Sequence, residues 1–148
     1  MSGGETSRGV VTEGVELTLA EGQLWAPVLA RVVGAMAAQA GLDIDRLSDA
    51  TLAADAVADL AAGRAVDGRL RASAALSDHG LLLRFGPLPE GWGHDVRHRS
   101  SIPGVGPVVD GLADEIAVEA GPGGEEQLVL RFRHRGPGSG FAGGGRGK

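Results

Sequence analysis

Residues 21–62 carry two helical periodicities back to back, with room between them for only a very short link. Over 21–40, Trp25, Leu29, Val32, Val33 and Met36 recur at helical spacing, and Pro27 falls near the first turn, where its missing N–H does least harm. Gly41 ends that run. Asp43 or Asp45 then caps a second helix reaching about Ala62, with Leu47, Ala50, Ala54, Val57 and Ala61 as its buried stripe and Gly63 as its stop. Two amphipathic helices need an apolar surface to cover, and the flanking sequence supplies one. Residues 11–19 alternate, with Val15, Leu17 and Leu19 on one face and Glu16 and Thr18 on the other. Residues 69–76 alternate again, with Leu70, Ala72, Ala74 and Leu76 inward and Arg69, Arg71 and Ser73 outward. Ser77-Asp78-His79-Gly80 reads as a hairpin turn into a return strand over 81–85.

The pattern then loosens. Residues 86–104 read as a long irregular loop rich in Pro, Gly and His. A short helix over 105–114 presents Val105, Val108, Val109 and Leu112, and strands over 115–120 and 127–133 follow, joined by the turn 121–124. Strands that are mostly hairpin-paired, with helices to cover one face, predict an α+β fold. The expected form is a two-layer α/β sandwich, a mixed, mostly antiparallel sheet with three helices on one face.

At 148 residues the chain is one domain's worth, placed at 9–135, between a disordered N-terminus (1–8) and a disordered glycine-rich tail (136–148). Without cysteine, disulfide scaffolds, thiol nucleophiles and thiolate metal sites are excluded. A net charge of −5 argues against a nucleic-acid partner. The longest apolar stretch, 24–40, is interrupted by Arg31 and falls short of the roughly 20 residues a membrane span needs. With no signal pattern at the N-terminus, a cytoplasmic location is expected.

The element order, the second helix and the segment 104–119, Gly-Val-Gly-Pro-Val-Val-Asp-Gly-Leu-Ala-Asp-Glu-Ile-Ala-Val-Glu, resemble the ATP-binding domain of histidine kinases, Hsp90-type chaperones and gyrase B. The closer likeness is to the small bacterial anti-sigma factors and serine-protein kinases built from that fold (GHKL, Bergerat fold), and it covers about 11–135. In that family a glutamate on the second helix activates a hydroxyl, and an asparagine four residues on holds magnesium. The resemblance places these at Ala56 and Leu60, beside Asp55, and the chain contains no asparagine. The family's Asp-x-Gly for adenine falls on Gly86-Pro87-Leu88, while Gly104 and Gly106 survive as glycines that let backbone N–H groups approach phosphates. The resemblance thus implies a degenerate ATP pocket around Asp55, Gly86, Gly104 and Gly106. Losing the adenine contact and the metal ligand costs roughly 3–5 kcal/mol, which weakens a micromolar site to millimolar or worse.

The expected function is therefore regulatory and non-catalytic. It is binding of a protein such as a sigma factor or an anti-sigma antagonist, with homodimers known in the family and no cofactor required. The rival is an active ATP- and magnesium-dependent serine-protein kinase in which Asp59, three residues after Ala56, replaces the missing carboxylate. His94 and His98 lie four apart but lack a third ligand, so no metal site is expected. Trp92, between Gly91 and Gly93, is either tucked into the fold or offered to a partner.

Overall fold

The computed structural model describes residues 11–94, 101–102, 106–107, 111–121 and 123–134. Both expected terminal segments, 1–8 and 136–148, lie outside them. The chain begins with strand β1 (Val11–Ala20), followed by helices α1 (Trp25–Gln39) and α2 (Ile44–Ala61) and a 3-10 turn at Val66–Gly68. Strands β2 (Arg69–Ser77) and β3 (Gly80–Leu88) form the hairpin, with Asp78 and His79 at its tip. Two-residue strands β4 (Ser101–Ile102) and β5 (Gly106–Pro107) pair with each other, and β6 (Glu115–Ala120) and β7 (Glu126–Arg133) complete the main sheet. That sheet has five strands in the order β1-β2-β3-β7-β6, and every pairing in it is antiparallel. The fold is α+β.

Local chemistry accounts for the helix ends. The Asp43 carboxylate accepts the Arg46 backbone N–H at 2.8 Å, which settles the choice between Asp43 and Asp45 as the cap of α2. Helix α1 has no side-chain cap and starts at Trp25, because residues 21–24 form a turn instead of its first turn. Gly41 and Gly63 follow the two helices with φ near +77°.

The core lies between the helices and one face of the sheet. Leu70, Ala72 and Ala74 of β2, Leu81, Leu83 and Phe85 of β3, and Leu128, Leu130 and Phe132 of β7 are buried there. They meet Trp25, Leu29, Val33 and Met36 of α1. Helix α2 contributes mainly alanines: Ala50, Ala53, Ala54 and Ala61 are fully buried, so its backbone packs close and leaves no space for larger side chains.

Two expectations change in the second half. Strand β3 runs on to Leu88, so the first three residues of the expected loop belong to the sheet. Of the expected helix at 105–114, Gly106–Pro107 is strand, because glycine and proline are the two poorest helix formers and here they find a partner in Ser101–Ile102. Gly111 and Leu112 are helical, and Val105, Val108 and Val109 lie outside the described residues.

The β3–β7 pairing depends on one glycine. Gly80 has φ +146°, and a Cβ there would stand 2.1 Å from the Phe132 carbonyl oxygen, a backbone atom that cannot swing away. Gly80→Ala is expected to cost about 2–4 kcal/mol, read as a lower urea midpoint with an unchanged slope.

Candidate functional site

Of the residues that the resemblance singles out, Asp55 and Gly86 lie in different layers. Asp55 and Asp59 are exposed on the solvent side of α2, and Ala56 and Leu60 beside them are half-buried. Gly86 pairs with Arg71 in the β2–β3 ladder and lies on the face of the sheet opposite the helices. Asp55 and Gly86 are thus separated by the body of α2 and by the sheet. Gly106 is in β5, and Gly104 lies outside the described residues, as does His98. Among the described residues, no three His, Asp or Glu side chains gather to hold a metal.

The sequence reading missed the most built polar cluster. Arg46, 3% exposed, takes a place in the buried stripe of α2 where Leu47 was expected. Its guanidinium donates to the Asp49 carboxylate at 2.8 Å, to the Leu112 carbonyl at 3.1 Å and to the Asp114 carboxylate, and it lies 5.4 Å from the centre of the Phe132 ring. The same Asp114 oxygen accepts the Arg133 backbone N–H at 2.6 Å. Arg46 therefore ties α2 to the segment entering β6 and, through Asp114, to β7. Its surroundings are filled by protein groups, so its role is structural.

Trp92 is also structural. It is 3% exposed, and its indole N–H donates to the Leu60 carbonyl at 3.2 Å, close to the C-terminal end of α2. Around it the Glu126 carboxylate accepts the Gly91 and Gly93 backbone N–H groups at 2.9 and 2.8 Å. This short helical turn at 92–94 fixes the chain inside the stretch expected to be a long irregular loop, 86–104.

At the β1 edge, Val15 is 40% exposed. Between α1 and strands β1, β2 and β3 lies a small apolar void of about 10 Å³, lined by Leu17, Leu29, Val33, Ala72 and Phe85. On the face of the sheet away from α1 and α2, Glu16, Arg71, Ser73, Arg84, Gly86 and Gln127 surround a hollow of about 90 Å³. Arg84 reaches from its rim to Glu119 at 2.6 Å, and the neighbouring Arg131 and Arg133 pair with Glu115. The outward position of Glu16 and Arg71 is readable from strand alternation. The β1–β2 and β2–β3 pairings bring them beside Arg84, and adding Gln127 needs the β3–β7 pairing, which spans about forty residues of chain or more.

The chain matches no protein family model and no curated protein. Removing Arg46 leaves Asp114 and Asp49 without their cation and uncovers Phe132. Because both carboxylates are about a third exposed or less, Arg46→Ala is expected to cost about 2–3 kcal/mol in chemical denaturation, with little rescue by lysine, which lacks the planar fork.

Proposed function

We propose that this chain is a regulatory, protein-binding domain, acting on a sigma factor or an antagonist of one, and not by catalysis. The partner class and the non-catalytic role come from the resemblance to anti-sigma factors and serine-protein kinases, whose contacts lie on the first helix and the neighbouring sheet edge. The observation that supports the reading is the edge made by β1 and α1. β1 is ten residues long and pairs on one side only, with β2, among the described residues. Beside its free backbone lie exposed Val15 and half-buried Leu17 and Val32. An edge strand flanked by an apolar strip can accept an added strand, with backbone hydrogen bonds giving affinity and alternate side-chain pockets giving selectivity.

Co-purification from a bacterial host with a tagged chain tests this directly. A sigma factor or a sigma-factor antagonist is expected in the eluate, and Val15→Asp is expected to lower its recovery about tenfold or more while the melting temperature stays close to the parent's. Recovery of neither, or an undiminished yield with the variant, overturns the proposal. Titration calorimetry with ADP or ATP and magnesium is expected to give no heat up to millimolar nucleotide. Micromolar binding would instead favour the kinase reading, with Asp59→Asn the next variant to measure.

A further inference from the structure

The hollow on the face of the sheet away from α1 and α2 lies on the opposite side from the core, with Glu16 of β1 as one of its walls. Strand register builds it. Glu16 pairs with Ser73 and Ser73 with Arg84 across one row, while Arg71 pairs with Gly86 one step along the strands. Small residues therefore floor the space, and long charged ones stand around it. A Cβ on Gly86 would approach the Glu126 carbonyl oxygen at 2.8 Å, so the glycine is needed both for the close strand approach and for the depth of the hollow.

The charges around the hollow are only partly satisfied. Arg84 gives one guanidinium nitrogen to Glu119. Glu16 and Arg71 both line the same space, yet among the described residues neither is ion-paired, with the other or with any third group. A free carboxylate and a free guanidinium are thus held on the walls of one hollow, with Ser73 and Gln127 as neutral hydrogen-bonding groups beside them. A simple anion would answer Arg71 and meet repulsion from Glu16, and a simple cation would do the reverse. A ligand carrying both signs a few bonds apart satisfies both. The volume of about 90 Å³ corresponds to about three waters, which suits a head group of a few heavy atoms and not a nucleotide.

We propose that this hollow binds the ammonium–carboxylate head of a free α-amino acid. Arg71, assisted by Arg84, receives the carboxylate, Glu16 receives the ammonium group, and the ligand's side chain points to solvent. The two termini of a peptide are too far apart to serve both walls at once, so the class is the free amino acid.

The test uses the full chain labelled with nitrogen-15 and titrated with L-alanine, with acetate and methylammonium as the two half-ligands. Saturable shifts at the Ser73, Arg84 and Gly86 amides are expected with alanine at millimolar concentration. Each half-ligand is expected to bind about tenfold or more weakly. Arg71→Ala and Glu16→Gln, both at exposed positions and so neutral for folding, are each expected to weaken alanine by about tenfold or more. Arg31→Ala, on α1 and remote from the hollow, is expected to leave it unchanged. The absence of saturable shifts with alanine overturns the proposal, as do equal affinities for alanine and acetate, or variants that bind like the parent.

Discussion

A single buried guanidinium holds the two layers of this protein in register. The apolar contacts between the helices and the sheet, from Trp25, Leu29, Val33 and Met36 of α1 and the alanines of α2, are non-directional. Arg46 adds direction. Its bonds to Asp49, the Leu112 carbonyl and Asp114 are directional, and its contact with Phe132 places it over one strand of the sheet. Its buried Nε lacks a hydrogen-bond partner, so the cluster is not an ideal stabiliser. A buried ionic group of this kind contributes more to choosing one arrangement than to raising total stability. Trp92 acts as a second clamp at the other end of α2, through the Leu60 carbonyl.

Much of this architecture is legible in the letters. Helices α1 and α2, the β2–β3 hairpin and the final two strands all follow from periodicity and from the punctuation of Gly41, Gly63 and the turn at 77–80. What escaped has physical reasons. Arg46 falls next to Leu47, and hydrophobic patterning assigns the buried slot to the leucine, although distant acceptors at 112 and 114 reverse that choice. Trp92 offered two opposite readings because its carbonyl acceptor lies about thirty residues away in sequence. The continuation of β3 past Phe85 and the pairing of Gly106–Pro107 likewise depend on partners that no local window contains.

The candidate site was less legible than the fold. Resemblance directed attention to the second helix and the glycines after it, yet Asp55 and Gly86 lie on opposite sides of the sheet. On the face of the sheet away from α1 and α2, Glu16, Arg71 and Arg84 line one hollow and come from three different strands. Alternation marks each of them as outward, and only the strand order makes them neighbours.

The placement of charge in the two layers has a consequence for encounter. Residues 21–62, which hold both long helices, carry six carboxylates against two arginines, one of them buried. The face of the sheet away from α1 and α2 bears Arg69, Arg71, Arg84, Arg131 and Arg133 against Glu16, Glu115 and Glu119. Between these two layers the excess of negative charge therefore lies on the helices. Within a Debye length, about 8 Å at physiological ionic strength, that field turns an approaching cationic body toward the helices and an anionic one toward the sheet. Orientation before contact is thus built into the layering itself, and it fades as salt is added.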